Sequence, residues 1–138
     1  MKKKCDICEK GEKSYADWER KCMKKEGWFA HLVQDDSAMP FNYNYHTHGT
    51  ETSFQIVLPL PFQAAHSIVG GLMDRMKEGE KFESGDILEQ VIGNGLKVIL
   101  VEATECDRKV LRIVFPDKQG KFDKNDMEEK FAKQYQGI

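Results

Sequence analysis

The chain lacks long hydrophobic runs, low-complexity tracts and internal repeats, and neither sign of charge dominates it. Its most apolar stretch, residues 56–62, includes two prolines and is far too short to span a bilayer. The 21 basic and 23 acidic residues give a formal net charge of −2, so no basic field attracts nucleic acid or a membrane surface. We therefore expect neither a nucleic acid nor a membrane among the partners of this 138-residue protein.

An apolar segment is also missing after the basic opening of the chain, residues 1–4. A secretory signal peptide needs such a segment, and residues 5–10 are polar instead. We therefore expect a cytoplasmic protein, in which the four cysteines are reduced. In that compartment a closely spaced pair of thiols is more often a metal-binding or redox pair than a structural disulfide.

Local signatures of catalysis are missing as well. No Gly-x-Ser-x-Gly turn marks a nucleophilic serine, and no acid pair or Cys/His set is marked by its spacing. Gly93-Asn94-Gly95 is typical of a hairpin turn, because no Lys-Ser/Thr pair or helix start follows it as a phosphate loop requires. We assign no catalytic residue and no organic cofactor, and we lean towards a protein that is not an enzyme.

What the sequence does contain is the pattern of one mixed domain. Hydrophobic periodicity predicts helices at residues 14–26, 63–77 and 123–134. It predicts strands at residues 28–34, 41–48, 53–58, 96–101 and 110–115, and it does not settle the type of residues 86–92. Because the strands come in consecutive runs, we expect a single α+β domain over residues 1–138, with a mostly antiparallel sheet of about five strands covered by two or three helices. Residues 1–13 are expected to form an N-terminal arm that is either flexible or tied down by a metal.

The first candidate site is Cys5-x-x-Cys8. Two intervening residues allow both thiolates to face one zinc ion, at Zn–S distances of about 2.3 Å. A closed structural site needs four ligands, and the sequence has no second Cys-x-x-Cys. The remaining ligands would come from distant residues: Cys22, Cys106, His31, His46, His48 or His66. The alternative is an N-terminal segment that binds no metal, and a redox disulfide is disfavoured because no strand precedes Cys5.

The second candidate site is His46-Thr47-His48. Two histidines two apart on a strand project from the same face, which Asn44 shares, and can bind one metal ion. We expect a polar, solvated strand edge here, because the sequence marks no carboxylate as a partner of either histidine. In the metal-binding alternative, a third ligand would be His66, Asp35 or Glu51.

The other two histidines are expected to be structural. His31 lies within an apolar strand and is predicted to be a partly buried histidine with its hydrogen bonds satisfied. His66 is predicted to lie on the outer side of its helix.

Several short motifs follow one another along the chain. They are Cys5-x-x-Cys8, Ser14-Tyr15-Ala16-Asp17, Gly27-Trp28, Phe41-Asn42-Tyr43, the Leu-Pro pairs within 58–61, the loop at 79–85 and the segment 114–122. In order and spacing, over almost the whole chain, they resemble the uncharacterised, mainly bacterial family called domain of unknown function 4262. The resemblance implies a compact α+β domain with a recurring N-terminal thiol pair, and it implies no particular reaction.

The chain departs from that family at two places. It has Tyr43-Asn44-Tyr45-His46-Thr47 where the family usually has Tyr-Thr-Val/Ile-Gly-Leu. Residues 51–53 read Glu-Thr-Ser where the family has Pro-Glu-Leu. If those family residues form a ligand site, this chain has altered or lost it.

Three functional hypotheses follow from the sequence. The first is a small binding or interaction module for a small ligand or a protein, which binds zinc through Cys5 and Cys8. The second is a metal-dependent, hydrolase-like enzyme centred on His46 and His48. The third is a toxin-neutralising or regulatory partner protein, since the chain is small, slightly acidic and free of catalytic motifs. The oligomeric state is left open.

Overall fold

The computed structural model describes residues 21, 24–36, 38, 41–93, 96–105, 108–136 and 138. All four cysteines (Cys5, Cys8, Cys22 and Cys106) lie outside the described residues, as do the predicted N-terminal arm and most of the predicted first helix. The thiol site therefore stays a prediction. Residues 24–26 are helical, and Gly27 follows them with a φ of 82°, as expected of a glycine that ends a helix.

A six-stranded sheet forms the centre of the protein, in the order β1-β2-β3-β6-β5-β4. The strands are β1 (Phe29–Val33), β2 (Asn44–His48), β3 (Phe54–Ile56), β4 (Ile87–Leu88), β5 (Val98–Glu105) and β6 (Arg108–Val114). The β3–β6 pair is parallel, and the other pairs are antiparallel. The predicted α+β class is confirmed. The sheet is mixed and has six strands rather than about five, because the segment of unsettled type supplies the short strand β4.

The long helix α1 spans Phe62–Lys77, close to the predicted bounds. Its buried residues are spaced so that they share one face: Ala65, Val69, Leu72 and Met73. Arg75 and Lys77 in the last turn complement the negative end of the helix dipole. None of the helices in the described part of the chain is long and apolar enough to cross a membrane.

The predicted C-terminal helix is largely wrong. Only α2 (Glu129–Ala132) and a 3₁₀ turn (Lys133–Tyr135) are helical there. The Asp123 carboxylate accepts a hydrogen bond from the Asn125 N–H at 2.8 Å, and its carbonyl accepts the N–H groups of residues 126 and 127. Aspartate side chains that bond to nearby backbone in this way favour a turn over a continuous helix.

One face of the sheet and helix α1 enclose the hydrophobic core. The strand register places Tyr45 opposite Ile56, and Phe54 opposite Leu111, on this face. The Tyr45 hydroxyl lies 2.7 Å from Nδ1 of His66 on α1, and Phe62 of α1 packs against the Tyr45 ring. The core therefore lies between α1 and the strand residues that alternate with the histidines of β2.

The opposite face carries a polar row that crosses the sheet. The register pairs His31 with His46, His46 with Gln55, Gln55 with Arg112, and Arg112 with Val101. The C-terminal segment packs on this side, because Nη1 of Arg112 donates hydrogen bonds to the carbonyls at 134 and 136, at 2.8 and 2.7 Å. The second face of the sheet is thus polar at its centre and still largely shielded from water.

Candidate metal centre

Three histidines meet on the polar face of the sheet. His31 of β1 lies directly opposite His46 of β2, and His48 follows His46 by two positions on the same face. One ligand nitrogen of each ring lies within 4.8 Å of the other two. The three side chains can therefore hold a metal ion together. The ring of Phe29 stacks on His48 at 5.1 Å between centroids and forms one border of the cluster.

The expectation of a solvated strand edge at His46 and His48 is wrong. Strand β2 lies between β1 and β3, so it is an interior strand. The His46 side chain is 0 % exposed, whereas His31 and His48 are partly exposed. The cluster thus has one buried member and two members that reach the surface.

A carboxylate faces the buried histidine. Oε1 of Glu105 lies 3.1 Å from Nδ1 of His46, and the Glu105 side chain is 8 % exposed. Nη2 of Arg108 lies 3.0 Å from the other carboxylate oxygen. The same nitrogen donates to the Thr47 carbonyl at 2.8 Å, and Nη1 of Arg108 donates to Oγ of Ser53 at 2.9 Å. These bonds fasten the turn end of the β5–β6 hairpin against β2 and bring Glu105 to the cluster.

Burial and charge control the protonation of the buried pair. Burial holds the pKa of His46 well below its usual value, and electrostatic interactions with the neighbouring His48, Arg108 and His31 lower it further. Burial raises the pKa of Glu105, while Arg108 opposes that rise. His46 is therefore neutral at neutral pH, which is the form of imidazole that binds metal ions.

The donor set fits a transition metal that accepts imidazole nitrogen. Zinc, copper, nickel and iron all bind such ligands, and Nδ1 of His46 is a buried nitrogen with no hydrogen-bond partner among the described residues. A tetrahedral zinc ion, with Zn–N bonds of about 2.0–2.1 Å, requires its nitrogens about 3.3 Å apart. The rings must therefore close by up to about 1.5 Å from their 4.8 Å limit to bind such an ion.

The other predicted ligands lie elsewhere. His66 packs on the core face, with its ring centroid 5.0 Å from that of Trp28, so the prediction that it points outward is wrong. Asp35 and Glu51 are exposed and do not belong to the cluster, which comprises three histidines among the described residues. His31 takes the place of the third ligand.

Sequence reasoning missed two residues of this site. His31 is partly buried, as predicted, but its role depends on the β1–β2 register, which the long connection between these strands does not reveal. Glu105 comes from a hairpin that is remote in sequence. The alternation of residues along β5 places Glu105 on the same face of the sheet as the histidines, but it does not show that Glu105 lies next to them. The predicted strand at residues 96–101 ends before Glu105, so a search for carboxylates on the predicted strands would not have included it.

No protein-family model, curated protein or solved structure matches this chain. The resemblance to domain of unknown function 4262 therefore remains a prediction. The functional proposal rests on the geometry of the site alone.

Proposed function

We propose that this protein is a small metal-binding module that holds one divalent transition-metal ion, zinc in the first instance, through His31, His46 and His48. The observation that carries the proposal is the convergence of three imidazole nitrogens within 4.8 Å on a shielded sheet face. Solvated surface histidines do not explain why His46 is 0 % exposed or why a buried carboxylate faces its ring. A ligand function accounts for both features, since carboxylates are common neighbours of ligating histidines.

Zinc is chosen over the other imidazole-binding metals on geometric grounds. Two neighbouring strands supply the three nitrogens, and nothing in that arrangement favours placing them in one plane with the metal ion, as copper(II) or nickel(II) prefers. Zinc has no geometric preference from its d electrons and accepts three protein ligands with a fourth position open. The partly exposed His31 and His48 leave that position accessible to a small ligand.

The test is the zinc stoichiometry of protein prepared without an affinity tag, stripped with a chelator and titrated calorimetrically. Wild type is expected to bind about one equivalent. His31→Gln and His48→Gln alter partly exposed side chains, so they should lose the site and keep the fold. His66→Gln, on the other face, is the matched control and should bind like wild type. Full zinc binding by both ligand variants would contradict the proposal.

The thiol pair Cys5 and Cys8 is the alternative zinc-binding site. Zinc binding there is consistent with the reduced thiols expected of a cytoplasmic protein. A Cys5→Ser/Cys8→Ser variant distinguishes the two sites. If the histidines hold the ion, this variant retains the zinc stoichiometry of wild type. If it loses the ion while His31→Gln keeps it, the site is N-terminal and the histidine proposal fails.

A second candidate function is metal-dependent hydrolysis, favoured by the number of protein ligands. With three ligands from the protein, zinc would keep an open position and supply activation of water, whose pKa it lowers to about 7. The experiment compares zinc-loaded wild type with His31→Gln on activated carboxylic and phosphate esters. Turnover that needs both zinc and His31 supports an enzyme, whereas equal rates in the two proteins leave a binding module.

A further inference from the structure

An open cleft of about 540 Å³, here called the α1 cleft, lies at the end of helix α1. One wall comes from the last turns of α1 and the loop after it, within residues 73–83, and the other from residues 26–28 and the β2–β3 turn at residues 50–52. The three clustered histidines are not among its lining residues. Its volume is within the range of about 300–1,000 Å³ that is typical of sites for small organic molecules.

Local interactions hold both walls of the α1 cleft in place. Arg75 donates to the Glu80 carboxylate from Nε at 2.9 Å and from Nη2 at 2.7 Å, and its guanidinium lies 5.5 Å from the centroid of the Phe82 ring. On the opposite wall, Oγ1 of Thr50 donates to the Thr52 carbonyl at 2.7 Å. The cleft is therefore formed before a ligand binds, which reduces the ordering that binding requires.

The floor of the α1 cleft is apolar. Trp28, Met73 and Phe82 line it from below and belong to the hydrophobic core, and the partly exposed Met76 packs beside them. Methionine side chains adapt their shape to the groups they contact, and aromatic rings offer broad apolar surfaces. The floor therefore favours a ligand whose central part is apolar.

Charges of opposite sign line the two walls. Glu26 and Glu51 lie on the strand side, where no basic residue lines the cleft, and Lys77 and Lys81 lie on the helix side. All four side chains are exposed, and none of them forms an ion pair within the described part of the chain. The two walls thus present opposite charges across the cleft without neutralising each other.

The other two charges on the helix side leave this separation in place. Glu80 is paired with Arg75, so its charge is already balanced. Glu83 leaves the helix side with a net charge of +1, from two lysines and one glutamate, against −2 from the two glutamates of the strand side. Exposed charges taken singly contribute little. Their separation by sign around an apolar floor is what a ligand with two opposite charges requires.

We propose that the α1 cleft binds a short apolar peptide with free termini, whose ammonium group lies near Glu26 and Glu51 and whose carboxylate lies near Lys77 and Lys81. In a free α-amino acid one carbon atom separates the two charges, so they cannot reach opposite walls together. An extended tripeptide places its termini about 10 Å apart and its side chains between them. This site is separate from the proposed metal centre and does not depend on it.

The first test is binding of the tripeptide Ala-Phe-Ala to protein labelled with ¹³C at the methionine methyl groups. The signals of Met73 and Met76 are expected to shift with saturation, while that of Met127, which does not line the cleft, stays unchanged. Acetylating the amino terminus of the peptide, or amidating its carboxyl terminus, should weaken binding about fivefold, because each change removes one charge pair.

Variants on the two walls show which terminus each wall binds. Glu51→Gln should weaken the free peptide about fivefold and leave the acetylated peptide unchanged, since that peptide has no ammonium group. Lys77→Gln should weaken the free peptide by a similar factor and leave the amidated peptide unchanged. Both side chains are exposed, so both variants should fold. Lys118→Gln, exposed and outside the cleft, is the control and should bind all the peptides like wild type.

Three results would overturn this proposal. The first is the absence of a shift at Met73 and Met76 up to the solubility limit of the peptide. The second is a doubly blocked peptide that binds as tightly as the free one, since the charges would then play no part. The third is tighter binding of spermidine, a cation without a carboxylate, than of the peptide. None of these experiments uses zinc, so their outcome leaves the test of the metal centre unaffected.

Discussion

The side chain of Asp117 accepts three backbone hydrogen bonds in the segment that follows β6. One carboxylate oxygen accepts the backbone N–H groups of Gln119 and Lys121 at 2.9 and 3.0 Å, and the other accepts that of Glu128 at 3.0 Å. Burial acts to raise the pKa of Asp117, but the backbone donors at 121, 128 and 119 and the charge of Lys121 outweigh it, so the pKa lies below its ordinary value. The ionised form is therefore the one that the fold requires.

Stability should depend on pH through this residue. A carboxyl whose pKa is lower in the folded than in the unfolded state stabilises the protein above its unfolded pKa, about 3.9, and the contribution is lost as the pH falls through the folded value. Asp117→Asn should lower the urea midpoint at pH 7, and its difference from wild type should shrink below about pH 4. Asp126→Asn, at an exposed site, is the control. A difference that persists unchanged into acid would contradict this account.

At the scale of elements, the C-terminal segment extends the hydrogen bonding of β6 through one glutamine. Oε1 of Gln134 accepts the Phe115 N–H at 2.8 Å, and Nε2 donates to the Phe115 carbonyl at 3.0 Å and to the Phe131 carbonyl at 2.9 Å. The Gln134 side chain is fully buried. It therefore satisfies backbone groups just past the end of the strand that would otherwise be buried without partners.

Gln134→Leu should test that role, because leucine fills a similar volume and makes no hydrogen bond. Each backbone group of Phe115 left unsatisfied costs about 1–3 kcal/mol, so we expect a loss of about 2–4 kcal/mol in the free energy of unfolding. Urea denaturation measures it. Gln136→Leu, whose side chain is exposed, should change stability by less than about 0.5 kcal/mol. Equal stability of wild type and Gln134→Leu would show that water replaces the glutamine.

At the scale of the whole molecule, the histidine cluster joins the edge strand β1 to the interior strand β2, and Glu105 and Arg108 join β2 to the β5–β6 hairpin. Among the described strands, backbone pairing between the two halves of the sheet is otherwise limited to the short parallel pair β3–β6. An ion held by His31 and His46 binds the folded arrangement alone. Its binding free energy is therefore added to the stability of the fold.

Zinc should raise the thermal stability of the whole domain. At a free concentration one hundred times the dissociation constant, the gain is about 2.7 kcal/mol, or about 8 °C in the unfolding temperature of a domain of this size. Calorimetric scans with zinc and then with excess chelator measure it. A His31→Gln/His48→Gln double variant should show no shift, and the same shift in that variant would place the ion elsewhere.

The sequence predicted the structure correctly where the periodic spacing of residues along the chain determines it. Alternation identified the face shared by His46 and His48, and the spacing of Ala65, Val69 and Leu72 identified α1. It failed at the C-terminus, where the side chain of Asp123 competes with helix hydrogen bonding. It also failed at the cluster, since burial of His46 depends on which strands flank β2.

Alternation along a strand is a property of neighbouring residues, so the chain alone is enough to place His46 and His48 side by side. The pairing of His31 with His46 is a matter of register between two strands, and the approach of Glu105 depends on a hairpin that folds back from the other half of the sheet. Neither is a local property. The tertiary structure therefore determines that His31 joins His46 and His48, and that the carboxylate of Glu105 faces the buried His46.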